Sequence, residues 1–280
     1  MTDTSRISVS AHYTGYIWYK HGLSAKNFIT DTGRRINMIA APINAFLRLV
    51  GGADIDIFLL QRHTVIDHKV EELIEKEGVT QIVELACGLS PRGYRFRKKY
   101  PHIRYVECDL PGIVAKKREL LDGTDLPGQE LRVCDVFNTA GPESIKGILE
   151  SLDPQQKTII VTEGLVNYFE LPVIREVWSR MADALKRFPQ GWYITELYPD
   201  FADHPSYRYV KFAQKTVGFL TKGDWPLHYP SDEAIQKGFQ EDGFNDVEVI
   251  DPASYYGKLP LLPEVKIKTL VRIIKCSVSR

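Results

Sequence analysis

From residue 64 onward the apolar positions switch repeatedly between a helical and an extended period. Ile66, Val70, Leu73 and Ile74 recur at helical spacing, Gly78 can close that helix, and Ile82, Val83 and Leu85 follow as a short apolar run. The same alternation predicts a helix from Pro91, a strand over 103–108, a helix over 111–121, a strand over 131–134 and a helix from Pro142. A strand over 158–162 then leads to a helix over 172–188, where Val173, Val177 and Met181 share a face, and to a strand over 192–197. Residues 247–250 and 265–278 read as a terminal pair of strands. Short crossovers through helices imply an α/β domain with a mostly parallel seven-stranded sheet, helices on both faces and ligands at the carboxyl edge of the strands.

Four acids fall at or near successive strand ends: Glu84, Asp109, Asp135 and Glu163. Between the first two lies a glycine-bearing turn, in which Gly88 permits a conformation that a side chain would resist and Pro91 can open a helix. Asp109 stands twenty-five residues past Glu84, within reach of a ribose held over the strand ends. Ala86 occupies the place of the first glycine of a dinucleotide turn, and no glycine follows Gly88 until Gly93. A diphosphate needs several bare amides and a helix N-terminus, so a nicotinamide dehydrogenase is disfavoured. A cofactor without phosphate needs only a close turn and acids for ammonium and hydroxyl groups, and S-adenosylmethionine has that polarity.

Composition narrows the remaining classes. The 280 residues are 44% hydrophobic, enough for one large core. Lys and Arg number 36 and Asp and Glu also 36, which gives no global field for nucleic acid or an anionic membrane. The first ten residues lack a basic segment leading into an apolar one, and the apolar stretch 38–50 is broken by Pro42, Asn44 and Arg48; a cytoplasmic protein without a membrane span is expected. Cys87, Cys108, Cys134 and Cys276 have neither zinc-site spacing nor disulfide density. The first three each end a predicted strand, and the reading that they pack as small hydrophobes is preferred to a thiolate metal site.

Two regions lie outside the rhythm. Residues 1–60 are expected to form a helical lid segment ahead of a domain over 61–280, and 199–230 an aromatic-rich insert that is either a second lid or a cover for the sheet edge. The seven histidines include no pair at metal-ligand helical spacing; only His12 and His228, in these two regions, stay open as bases.

Several segments together carry a family resemblance. LACGLSPRGYRF (85–96) resembles the "LGAGLDTRAYRL" turn of the leucine carboxyl methyltransferase and polyketide O-methyltransferase family, YVECDLPGIVAK (105–116) its "YFEVDLPEVI..K" segment, and EGLVNYF (163–169) its "EGLLMYL" segment. RHTVID (62–67) resembles the family's "RT..ID" helix start. These matches stand in order over roughly residues 60 to 200. Ser90 and Pro91 depart from the family's aspartate and threonine, and a hydroxyl cannot offset a positive charge as that aspartate would.

The resemblance implies a Rossmann-like methyltransferase fold with S-adenosylmethionine as donor. It implies that Arg62 pairs with the methionine carboxylate, Gly88 lets the methionine portion lie against the backbone, Asp109 with Leu110 beside it holds the ribose, and Asp135 with Val136 meets the adenine. Glu163 would lie near the methionine ammonium, and Glu84 near the same turn. Each has a plainer reading: Arg62 could lie at a helix start, Asp109 could cap the helix near Pro111, and Arg92 and Arg95 could be salt-bridged or solvent-facing.

For the acceptor, Tyr168, His12, Tyr16, His228 and Arg208 are the orienting candidates, with Arg34, Arg35 and Lys211 as further cations. A carboxylate, with a pKa of roughly 4, is ionised at neutral pH and needs no base; a phenol, at roughly 10, does. The expected activity is methyl-ester formation on a small organic acid or natural-product intermediate. A hydroxyl or phenol O-methyltransferase and a non-catalytic S-adenosylmethionine-binding protein are the alternatives, protein C-terminal methylation is less favoured, and a homodimer is compatible with the reading.

Overall fold

The computed structural model describes residues 5–52, 54–122, 124, 126, 129–201 and 225–279, with the side chains of 5–8, 50 and 51 excepted. The N-terminal segment forms α1 (Ser5–Lys20) and α2 (Asp31–Gly51), the latter capped by Thr30, whose hydroxyl accepts from Gly33 N. The core then runs α3 (Ile55–Glu77), β1 (Gln81–Leu85), α4 (Arg92–Lys99), β2 (Arg104–Asp109), α5 (Pro111–Leu121), β3 (Glu130–Val133) and α6 (Ile145–Glu150). It continues through β4 (Thr158–Thr162), α7 (Leu171–Leu185), β5 (Gln190–Leu197), α8 (Asp232–Glu241), β6 (Asp246–Ile250) and β7 (Arg272–Ser279).

The seven strands form one sheet in the order β3-β2-β1-β4-β5-β7-β6, with β1 to β5 parallel and β7 antiparallel to both of its neighbours. The chain order reverses beside β1, between β2 and β4, so the loop after β1 opens into the crevice where such sheets bind ligands. Alternate side chains of the central strands feed two cores. Val83, Val106 and Ile160 pack with α6, α7 and α8, while Ile82, Tyr105 and Ile159 pack with α3 and α4.

Three boundaries differ from the expectation. Arg62 lies two turns inside α3, whose N-cap is Asp54, accepting from Ile57 N at 3.0 Å, so residues 62–67 are not a helix start. The terminal strand begins at Arg272, not 265, because β6 ends at Ile250 opposite Ile273 and offers 265–271 no partner. The helix α8, absent from the sequence reading, docks through Ile235 and Phe239 after its Ser231 cap.

The N-terminal segment divides in role. Helix α1 packs on the core: Ile17 and Trp18 meet Leu59 and Leu60 of α3, and Ala11 meets Leu89 and α5. Helix α2 instead leaves Ile39 70% and Leu49 85% exposed, with Met38 and Phe46 beside them. No helix among the described residues is long and apolar enough to cross a membrane. Most of the 199–230 insert, including Arg208 and Lys211, lies outside the described residues.

Candidate functional site

The turn after β1 is held from below by β2. Cys87 N donates to the Cys108 carbonyl at 3.0 Å, and Gly88 N donates to Asp109 Oδ2 at 2.7 Å. The other carboxylate oxygen of Asp109 accepts from Leu110 N at 2.7 Å; the α5 N-cap is Leu110, so Asp109 serves the glycine turn and not the helix as a cap. Burial raises the Asp109 pKa, and the two amides oppose that rise. Ser90 Oγ accepts from Arg92 N at 3.2 Å, a local bond that starts α4.

Both Ala86, at φ 51°, and Gly88, at φ 53°, lie in the left-handed region. That conformation costs an L-residue about 1–2 kcal/mol, which Ala86 bears and a glycine would not. Ala86→Gly is therefore expected to leave urea stability unchanged or to raise it by up to about 1 kcal/mol, although alanine to glycine in ordinary backbone loses about that much. A loss of 1 kcal/mol would contradict the strain.

Beneath the turn lies a buried ion cluster. Arg92, fully buried, donates from Nε to Asp67 at 2.5 Å, from Nη1 to Glu84 at 2.5 Å and from Nη2 to Glu163. Tyr105 OH completes Glu84 at 2.8 Å. Arg62 donates from Nε to Glu163 at 3.0 Å and from Nη1 to Glu196 at 3.3 Å. His63 Nδ1 lies 2.8 Å from Glu163, and its ring stacks on Trp18 of α1 with centroids 4.1 Å apart. Burial alone would raise the pKa of Glu163, but His63 and Arg92 outweigh it and hold the carboxyl well below its usual range.

Above the cluster is an open cleft enclosing about 650 Å³ of free space, part of it solvent. One wall is α1, through Ser10, Ala11, Thr14 and Trp18; the floor is Glu84, Ala86, Gly88 and Asp109; the far wall is Arg62, Glu163, Gly164 and Tyr168. The fit of α1 to the floor is close. A Cβ on Gly88 would stand 3.4 Å from Ala11 Cβ, and one on Gly15 3.3 Å from Leu89 Cβ. Gly164, at φ 73°, gives Arg62 its place, since a Cβ there would lie 3.0 Å from Nη2.

Of the residues expected at a cofactor site, Arg62, Glu84, Gly88, Asp109 and Glu163 converge on this cleft, and Tyr168 joins them. Leu110, Asp135 and Val136 do not line it. Asp135 accepts from Phe137 N at 3.0 Å in a local turn beyond β3. His12, Tyr16 and His228 do not line it either. His12 is 2.9 Å from Thr30 Oγ1, and its pKa is lowered by burial and then by Lys116. His228, buried, sits against the Val166 carbonyl and is likewise lowered by burial.

Some site residues had no sequence signal. Glu196 sits within a strand, and nothing local distinguishes it; His63 adjoins Arg62, but it is one of seven histidines without a ligand-spaced pair, and nothing in the sequence singles it out. Of the two roles that the sequence leaves open for Arg92, salt-bridged or solvent-facing, the structure realises the first. The four cysteines are buried thiols, and among the described residues no group of three or more His, Cys, Asp or Glu is arranged to hold a metal ion.

Comparison with known proteins fits this geometry. The sequence model of leucine carboxyl methyltransferases matches residues 24–182. No curated protein matches the sequence. The fold is similar to that of a candidate methyltransferase from Thermobifida fusca YX, with a TM-score of 0.65 at 16% identity over 96% of this chain and 94% of that one. It is also similar to a DUF574 family protein from Streptomyces avermitilis, with a TM-score of 0.64 at 14% identity over 95% and 96% of the two chains. The family match spans more than half of the sequence and contains the glycine turn, Asp109 and Glu163. The chain thus belongs to the leucine carboxyl methyltransferase family of S-adenosylmethionine-dependent methyltransferases.

Proposed function

We propose that this enzyme transfers the methyl group of S-adenosylmethionine to the carboxylate of a small organic acid. The observation that carries the acceptor class is the placement of the two open histidines: His12 is engaged with Thr30 and His228 with Val166, and neither lines the cleft. A carboxylate acceptor needs no base; a phenol does.

The cleft residues fit the cofactor. Arg62, Glu84, Gly88, Asp109 and Glu163 share one cleft at the carboxyl edge of the strands, and a ligand chain along the turn would lie between Gly88 and Ala11 of α1, which now pack closely. Asp109 would accept from the ribose hydroxyls with the lone pairs that Gly88 N and Leu110 N leave over. Arg62 would meet the methionine carboxylate with the donors that Glu163 and Glu196 do not use. Glu163 lends negative potential to the ammonium end, although Arg62, Arg92 and His63 already engage its oxygens.

Bound there, S-adenosylmethionine supplies an electrophilic methyl carbon on a sulfonium. The protein's part is then to hold the acceptor in line and exclude water. Helix α1 closes one side of the cleft with Ala11 and Trp18, and the Tyr168 hydroxyl can donate to an acceptor oxygen. Burial raises the Tyr168 pKa, so it stays a neutral donor.

The test is incubation with labelled S-adenosylmethionine and a panel of mono- and dicarboxylic acids and phenols, followed by mild alkali. Labelled products that release methanol in alkali support the reading. Products that all survive alkali would transfer it to a hydroxyl acceptor.

A further inference from the structure

Within the buried cluster one carboxylate differs from the rest. Asp67, Glu84, Glu163 and Glu196 bring four carboxylates, and Arg62, Arg92 and Arg95 bring three guanidiniums, each within hydrogen-bond distance of at least one of the acids, with the His63 imidazole between Glu163 and Asp67. Three of the carboxylates accept on both oxygens: Asp67 from Arg92 and Arg95, Glu84 from Arg92 and Tyr105, Glu163 from Arg62 on one and Arg92 on the other. Glu196 does not. Its Oε1 accepts from Gly164 N at 2.7 Å and Arg62 Nη1 at 3.3 Å, but Oε2 is buried and finds no donor among the described residues. A buried carboxylate oxygen without a donor is costly, and a proton on it lowers that cost by removing the buried charge.

We propose that Glu196, the acid of this cluster with an oxygen left unpartnered, carries a proton in the resting enzyme and thereby sets the charge that Arg62 presents to the cleft. Protonated, it leaves Arg62 with one ionised partner, Glu163, and surplus positive charge toward an anionic group. Ionised, it takes that surplus. Glu196 does not line the cleft, so it acts through Arg62 as a positioning residue.

The groups facing it agree with this. Burial pushes the Glu196 pKa up to about 7; Arg62 opposes the rise and Glu163 adds to it. Tyr168 and Tyr198 also face it and stay neutral because burial raises both. From the neighbouring strand, Arg272 is turned to Asp232 and to Thr269, not to Glu196. Ionisation of Glu196 therefore falls within the neutral range, where it can modulate binding.

The inference rests on Arg62 facing the anionic end of the cofactor. It is tested by titrating wild type, Glu196→Gln and Arg62→Gln with S-adenosylmethionine in a calorimeter from about pH 6 to about pH 8.5. The ligand's own titration is common to all three proteins. Relative to Glu196→Gln, wild type should lose about three- to tenfold in affinity as pH rises through 7, since only wild type can ionise at this position. Parallel profiles for the two, with Arg62→Gln weakened, would overturn the role of Glu196 while leaving the site reading intact. Undiminished binding by Arg62→Gln would overturn the site reading instead.

The proton itself is read without any ligand. Infrared difference spectra of the free enzyme should show a protonated carboxyl that disappears between the same pH limits and is missing from Glu196→Gln. Identical spectra for the two proteins would place the proton elsewhere.

Discussion

Arg92→Leu is expected to cost about 3–5 kcal/mol of folding stability, the range for removing one partner from a buried ion pair. The reason is the number of charges that depend on one guanidinium. Glu84 loses its guanidinium partner and keeps, among the described residues, the Tyr105 hydroxyl as a donor, while Asp67 and Glu163 each lose one of their donors. Leucine fills some of the volume but supplies no donor, and those carboxylates stay almost wholly buried. Lys99→Ala sets the scale. It breaks an exposed pair with Glu71 and should change stability by no more than about 1 kcal/mol. Urea unfolding of both variants decides: a loss of less than 1 kcal/mol at Arg92 would mean that the cluster is not held as described.

The same cluster fixes the sign of an acid limb. Glu163 is held well below its usual range, and so is Asp67, where burial pushes up but Arg95, His63 and Arg92 outweigh it. Depressed carboxyls contribute stability that is complete above their unfolded values, about 4, and is lost as pH falls below them. Wild type should therefore lose stability steeply under acid, and Arg92→Leu should show a shallower limb.

The second large effect is on binding. Asp109→Ala is expected to weaken S-adenosylmethionine by about 100-fold or more, from two lost hydrogen bonds to a charged acceptor at about 1.5–3 kcal/mol each, together with the loosened Gly88 amide. Adenosine shares the ribose and should lose affinity by a similar factor. Circular dichroism checks that the variant is folded. Wild-type affinity in a folded variant would show that the ribose lies elsewhere.

Much of this was legible before the structure, and what was not shares a cause. The strands over 81–85 and 158–162 are short apolar runs buried on both faces, so pattern alone found them, and Gly78 at φ 71° closes α3 as its position suggested. The region 265–271 failed because Val265 and Ile267 alternate with lysines like strand residues, yet a strand also needs a neighbour to pair with, and β6 has ended. The N-terminus of α3 is hidden in the sequence because Asp54, Ile55, Asp56 and Ile57, at its cap, alternate polar and apolar and show no helical period.

At the site, the spacing from Glu84 to Asp109 places Asp109 near the glycine turn, because β1 and β2 are adjacent and end at the same edge of the sheet. The partners of Arg92 could not be placed in that way. They come from α3, β1 and the turn after β4, and only the folded sheet brings Asp67, Glu84 and Glu163 together. Charge in a sequence reads as surface until such convergence is known. Ala86 carries a similar lesson: the missing glycine that argued against a diphosphate did not abolish the glycine-like backbone, which alanine adopts at φ 51°.

A crystal structure with S-adenosylhomocysteine bound would decide whether this cleft is the cofactor site. The ribose hydroxyls are expected on Asp109, the homocysteine chain along Gly88 and its carboxylate at Arg62, beneath α1. A ligand bound outside the cleft between α1 and the strand ends, or one whose carboxylate avoids Arg62, would contradict that assignment.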